Sequence, residues 1–144
     1  MKLSTRPRYG TRALLELAEN VGKGPLQLKV VAERQGISIK YLEQLMVVLK
    51  SAGLVASIRG AKGGYVLAQP PEKICIYDVF TVLEGPVTTA QCVGDESYCG
   101  RIADCAVRDI WARVEDAIKE VLQAVSLKDL ADKARQKKSP DYQI

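Results

Sequence analysis

The most distinctive chemistry in the chain is carried by three thiols, Cys92, Cys99 and Cys105, spaced Cys-x6-Cys-x5-Cys in a stretch rich in Gly, Asp, Glu and Ser. A loop, unlike a helix, lets side chains that far apart in sequence face one point, so three thiolates there can converge on soft iron or zinc. The spacing lacks the CxxC pairs of zinc ribbons and bacterial ferredoxins. The residues alone therefore leave metal ligation, unligated thiols and a redox disulfide all open. The chain contains no histidine, so a fourth ligand would be a carboxylate, backbone, solvent, a small thiol or a residue of a partner subunit. Asp95, Glu96 and Asp104 are the nearby carboxylates. The remaining thiol, Cys75, sits among Ile74, Ile76, Val79 and Phe80 and reads as a small core residue.

A second chemical group is cationic. Arg59 and Lys62 stand in Arg59-Gly60-Ala61-Lys62-Gly63-Gly64, where glycines let backbone and cation approach a phosphate chain or a narrow minor groove closely. Residues 1–69 hold 11 Lys/Arg and 4 Asp/Glu, a net +7, whereas residues 70–144 hold 10 and 13, a net −3. The potential to bind a polyanion thus lies in the first half, although a solvated basic face without a partner has the same composition.

The elements that must position these residues follow from apolar periodicity. A helix over about Pro7–Val21 carries Ala13, Leu14, Leu17, Ala18 and Val21 on one face and stops at Gly22-Lys23-Gly24-Pro25. A second, about Leu26–Arg34, presents Leu28, Val31 and Ala32. Ser38 caps a third, about Ile39–Ala52, which buries Leu42, Leu45, Met46 and Leu49. Two helices joined by a tight glycine-containing turn are the geometry that lays the second in a major groove. Leu54, Val55 and Ile58 before the glycine cluster and Tyr65-Val66-Leu67 after it form a β-hairpin with a basic tip. Helix-turn-helix followed by such a hairpin predicts a winged helix that binds double-stranded DNA.

These residues also carry a family resemblance. Gly36-Ile37-Ser38-Ile39-Lys40-Tyr41-Leu42-Glu43-Gln44-Leu45, Gly53-Leu54-Val55, the basic hairpin through Tyr65, the opening Met1-Lys2-Leu3-Ser4 with Arg8-Tyr9, and Leu83-Glu84-Gly85-Pro86 resemble the Rrf family of dimeric winged-helix regulators. Within that family the match is to the IscR-type iron-sulfur regulators, over roughly residues 1–125. The resemblance implies a sequence-specific transcription regulator, in many relatives a repressor. It places Ser38, Lys40, Tyr41, Glu43 and Gln44 at the groove face of the recognition helix and Arg59 in the adjacent minor groove; Lys62 joins the DNA-binding set from its place on the basic hairpin. It implies an iron-sulfur cluster, 2Fe-2S or 4Fe-4S, on Cys92, Cys99 and Cys105. The chain departs from the IscR-type cluster pattern in two ways. The first gap between cysteines is one residue longer, and Arg108 stands where the IscR-type pattern has a histidine ligand. A small residue is common at the place of Lys40. In nitric-oxide-sensing relatives an acidic residue near the partner's N-terminus completes the site, but Arg8 stands near that position here, which leaves the fourth ligand unassigned.

From Ala106 to Val125 a stripe of Val107, Ile110, Trp111, Val114, Ile118, Val121, Leu122 and Val125 recurs at helical spacing. So apolar a helix needs a partner, and the simplest is the same helix of a second copy, giving a homodimer whose two-fold axis matches a palindromic operator. Ser126-Leu127-Lys128-Asp129 resembles a capping box opening a short last helix, and the polar run from Lys133 is expected to fray. The expected fold is thus mainly α with a small β-hairpin wing: a winged helix-turn-helix over 1–85, a cysteine loop over 86–105, a dimerisation helix and short C-terminal helix over 106–134, and a disordered tail over 135–144. No stretch is apolar enough to span a bilayer and the N-terminus is not a secretory signal, so a cytoplasmic protein without membrane association is expected. Enzymatic activity is disfavoured, because no histidine serves acid-base work and no P-loop or dinucleotide fingerprint occurs. A metal-free regulator of the same fold, responding to thiol oxidation or to a partner enzyme such as one of cysteine metabolism, is the alternative to cluster control. An iron-sulfur electron carrier would leave the winged helix without a purpose.

Overall fold

The computed structural model describes residues 2–139. Its first helix, α1 (Thr5–Glu19), begins at Ser4, whose hydroxyl accepts the Arg6 N–H and also donates to the Glu84 carboxylate. Pro7 falls in the first turn, where its missing N–H leaves no bond unmade. The helix starts earlier and stops sooner than periodicity predicts. Val21 lies beyond its end and is exposed, because the glycine turn that follows has already turned the chain away from the core.

Helix α2 (Leu28–Gln35) begins two residues after the expected Leu26, which is engaged elsewhere. Leu26 exchanges both backbone hydrogen bonds with Tyr65, at 3.0 and 2.9 Å, an isolated antiparallel bridge to the outer edge of β2. Gly36 closes α2 in the left-handed conformation that a side chain would disfavour. Helix α3 (Ile39–Ser51) follows, with the Ser38 hydroxyl accepting the Tyr41 N–H at 3.1 Å, the cap predicted from sequence. Strands β1 (Val55–Ile58) and β2 (Gly64–Leu67) pair antiparallel, Val55 opposite Leu67 and Ile58 opposite Gly64, leaving residues 59–63 as the tip.

Helix α4 (Ile76–Glu84) was not foreseen as an element, its apolar residues being read only as the neighbours of Cys75. It buries Val79 and Leu83 and lies against α1 so closely that Leu83 occupies the space a side chain at Gly10 would need. Residues 86–105, expected as loop, contain a short helix α5 (Gln91–Gly94) and a 3-10 turn at Ile102–Asp104. Helix α6 (Ala106–Gln123) is the long helix of the sequence pattern, ending two residues before the expected Val125. Helix α7 (Leu127–Lys137) opens with a complete capping box between Ser126 and Asp129.

The core joins both ends of the chain. Leu14, Leu42, Leu45, Met46, Leu49, Ile74, Val79 and Leu127 are fully buried in one cluster, each large aliphatic contributing about 1.5 to 3 kcal/mol by burial. Leu127 and Ala131 thus bring α7 into the winged-helix core, fastened by backbone bonds from Ile76 N–H to the Val125 carbonyl and from Leu127 N–H to the Ile74 carbonyl. This revises the expected boundaries. The last helix packs with the N-terminal unit and continues to Lys137, through the start of the segment expected to be a disordered tail, because Leu127 and Ala131 anchor it. Lys138 and Ser139 follow the helix, and the rest of that expectation, residues 140–144, lies outside the described residues. Among the described residues no helix is long and apolar enough to cross a membrane.

Candidate functional site

Helix α3 separates its residues into two faces. Leu42, Leu45, Met46 and Leu49 enter the core, and Lys40, Glu43 and Gln44, three and four residues apart, share the opposite face in solvent. Ser38 is exposed at its N-terminus, and Arg59 and Lys62 are exposed at the hairpin tip. Lys40, Glu43, Gln44, Arg59 and Lys62 take part in no ion pair or side-chain hydrogen bond among the described residues. Tyr41 behaves differently. It is half-buried, its hydroxyl lies 2.8 Å from the Thr5 hydroxyl, and its ring meets Tyr9 edge-on at 6.3 Å. Its contacts seat α3 on α1, a role the sequence reading did not assign. The guanidinium groups of Arg8 and Arg12 lie over the Tyr9 ring, at 5.8 and 5.5 Å from its centre. Lys50 at the end of α3 donates to the Ser57 hydroxyl of β1 at 2.7 Å, tying the helix to the wing.

The wing is held to the body by the pairing of Tyr65 with Leu26. A side chain at Gly64 would run into the Leu26 carbonyl, and Gly64 has φ +155°, so the register of the wing depends on glycine there.

The cysteines lie on separate pieces of local structure: Cys92 within α5, Cys99 in the following loop, and Cys105 at the N-terminal boundary of α6. All are half-buried and none is in a disulfide. Among the described residues no group of three or more Cys, His, Asp or Glu side chains is arranged to hold a metal ion. The donor set foreseen for an iron-sulfur cluster is therefore present in sequence but not gathered in space, and the arrangement does not fit a preassembled metal site. Asp95, one of the candidate fourth ligands, is turned onto its own loop. Its carboxylate accepts from the Ser97 hydroxyl at 2.6 Å and the Ser97 N–H at 2.9 Å, bonds that hold its pKa below the ordinary value. Cys75 is half-buried, not in the core as expected. Its thiol lies 3.6 Å from the carbonyls of Leu122 and Gln123, where α6 ends against the start of α4.

Residues 3–133 match the family described as Rrf2, iron-dependent transcriptional regulator. This chain belongs to the Rrf2 family. It is 47% identical over 131 residues to the transcriptional regulator CymR of Bacillus subtilis, covering 91% of this chain and 90% of that one. A solved structure of CymR, described as the global cysteine regulator of B. subtilis, superposes with a TM-score of 0.80 at 44% identity, covering 92% of this chain and 97% of that chain. The IscR structure from T. potens gives a TM-score of 0.80 at 40% identity over 96% of this chain and 92% of that chain. The winged-helix fold expected from sequence is the Rrf2 fold, and these relatives are transcription regulators with no enzymatic family among them.

In this Rrf2 chain, α6 carries an exposed apolar stripe and a buried polar cluster. Val107, Ile110, Trp111, Val114 and Val121 are exposed along it, between 39% and 67%. Its one buried residue is a carboxylate, Glu115, with Lys119 donating to it at 2.8 Å; that bond is the main reason the Lys119 pKa is raised. The Thr89 N–H donates to the same carboxylate at 3.3 Å. Arg108 donates to the Cys92 carbonyl at 3.0 Å. None of these pairings was legible in the sequence, where Arg108 stands out only at the place of a histidine ligand and Glu115 and Lys119 resemble the charged face of any amphipathic helix.

Proposed function

We propose that the chain binds a palindromic operator in double-stranded DNA as a homodimer, acting as a repressor, with the Cys92–Cys105 segment setting its affinity. The observation that carries the DNA-binding part is the exposed face of α3 and the wing. Lys40, Glu43, Gln44, Arg59 and Lys62 have no internal partner among the described residues, and they lie in the half of the chain with net charge +7. A groove-facing helix offers its polar side chains to base edges, and a basic wing offers cations to the backbone or minor groove. Ser38 joins this face through its position at the helix start, and Tyr41 acts there by holding α3 on α1. The exposed stripe on α6 supports the dimer, because an apolar surface of that extent is ordinarily covered in solution.

The regulatory signal has two readings. The arrangement of the thiols favours a metal-free regulator in which half-buried Cys92, Cys99 and Cys105 answer to thiol chemistry or to a partner protein. Similarity to a protein described as a cysteine regulator supports the same choice. The iron-sulfur reading rests on the Cys-x6-Cys-x5-Cys spacing and on the description of the family as iron-dependent. In either case the segment can alter operator affinity only by favouring one of two dimer geometries, typically a change of about 5- to 150-fold.

The visible spectrum and the iron and sulfide content of anaerobically purified protein distinguish the two. Operator binding by that protein, by a reconstituted sample and by Cys99→Ala completes the comparison. A colourless, iron-free protein that binds its operator and loses affinity on thiol oxidation supports the first reading. A coloured protein whose operator affinity differs from that of colourless, folded Cys99→Ala supports the second. Equal affinities in every state would remove the segment from control of DNA binding.

A further inference from the structure

Three polar contacts fasten the first part of the cysteine segment to α6, and a fourth, within the helix, braces one of them. Glu115, 6% exposed on a helix whose other residues are all at least partly accessible, receives the Thr89 N–H at 3.3 Å on one oxygen and Lys119 at 2.8 Å on the other. The Thr89 hydroxyl donates to the Trp111 carbonyl at 2.8 Å, and Arg108 donates through Nε to the Cys92 carbonyl at 3.0 Å. Val87, at the start of this stretch, is buried. Arg108, Glu115 and Lys119 fall on one side of α6, since seven and four residues correspond to about two turns and one turn. Thr89 and Cys92 are thus laid along the helix by bonds that give partners to the Thr89 N–H and the Cys92 carbonyl, backbone groups of the segment itself.

A buried carboxylate that accepts a backbone N–H from a loop is costly to keep unless that loop stays in place. The arginine is suited to its end of the contact, because Nε is a fixed-direction donor that can hold a carbonyl while the rest of the guanidinium stays hydrated. No metal is required for any of these bonds. We propose that Arg108 and Glu115 are positioning residues that seat the Cys92 segment on α6 and so set the accessibility of the Cys92 thiol without a metal ligand. The connection to operator affinity rests on the reading above that this segment controls DNA binding. The seating itself does not.

The test uses the full chain and follows alkylation of each cysteine by a maleimide, read site by site by mass spectrometry, together with amide hydrogen exchange over residues 87–94. Arg108→Ala and Glu115→Ala are expected to raise the Cys92 rate about tenfold and to speed exchange in that stretch, as local opening becomes easier. Arg108→Lys, which keeps a donor, and Glu115→Gln, which keeps an acceptor for Thr89, are expected to restore most of the wild-type protection. Cys75, held at the other end of α6, is the internal control. If Glu115→Ala does not fold, the two Arg108 variants decide alone. Cys92 rates within about twofold of wild type in the alanine variants overturn the proposal. So does a parallel rise at Cys75, which would mean general loosening, or the absence of rescue by lysine and glutamine. Operator affinity measured on the same variants separates the two levels. Faster Cys92 labelling with unchanged DNA binding leaves the positioning role standing and defeats the reading that the segment governs the operator.

Discussion

Ile110→Asp tests the dimer, and its effect can be sized from exposure. Ile110 is 45% exposed in the isolated chain, which for an isoleucine corresponds to roughly 80 Å² of mostly apolar surface available for burial. A two-fold interface removes that area twice, so about 160 Å² leaves water per dimer, equivalent to about 4 kcal/mol. A factor of about a thousand in the dimer dissociation constant follows, before the further cost of bringing two carboxylates into the contact. The monomer should tolerate the change, because the side chain already faces solvent and Asp costs a helix interior only about 0.7 kcal/mol. Sedimentation velocity over a concentration series reads the dissociation constant, and circular dichroism at the lowest concentration reads the helix content. The expected outcome is a folded monomer that binds a half-site weakly and no longer binds the full palindrome tightly. A dimer of wild-type strength would refute the reasoning by showing that the stripe is not at the interface. Loss of helicity would refute it differently, by placing Ile110 in packing within the chain.

Three further outcomes are expected. Arg59→Ala should weaken operator binding by roughly 1 to 3 kcal/mol in an anisotropy titration at fixed salt if the wing makes an ordered groove contact; unchanged affinity counts against the wing. Gly64→Ala should lower the stability of the folded chain by roughly 1 to 3 kcal/mol in thermal unfolding, because the new methyl group meets the Leu26 carbonyl at a backbone angle that side chains rarely adopt; a neutral result would show that Leu26 does not hold the wing. Asp129 has its pKa lowered below 3.8 by the Ser126 backbone N–H and hydroxyl. Its capping contribution is therefore complete above the unfolded value and lost as pH falls through the lower folded value. Stability measured against pH should show a shallower acid decline in Asp129→Asn, and superposable slopes would mean that this cap does not titrate with folding.

Much of the fold was legible because its elements announce themselves locally. Ser38 and the 3.6-residue recurrence of Leu42, Leu45 and Leu49 define α3, and the change to alternation around the glycine cluster defines the wing. The misplacements have tertiary causes. Leu26 has the character of a helix start but is drawn into pairing with Tyr65, which delays α2 by two residues. Lys133–Lys137 is polar enough to suggest a frayed end, yet Leu127 and Ala131 pack in the core and carry the helix onward. Helix α4 lacks a local start signal, since its N-cap position holds Cys75, which makes no side-chain capping bond, in place of Ser, Thr, Asp or Asn.

The candidate site divides along the same line. Lys40, Glu43, Gln44, Arg59 and Lys62 could be located from sequence because exposure on a helix face or a hairpin tip is a local property. The seating of the cysteine segment could not, since Thr89 and Glu115 are 26 residues apart and Cys92 and Arg108 are 16 apart. Sequence spacing reports which ligands a metal could gather, but not what the loop bonds to without one. Here the bonds go to α6, on a side roughly a third of a turn from Val107, Ile110, Val114 and Val121. An 18-residue helix moves nearly as a rigid body. A change in the segment that tilts or rolls α6 must therefore displace the apolar stripe as well. The proposed dimer contact would then register the state of Cys92 without any thiol approaching the DNA.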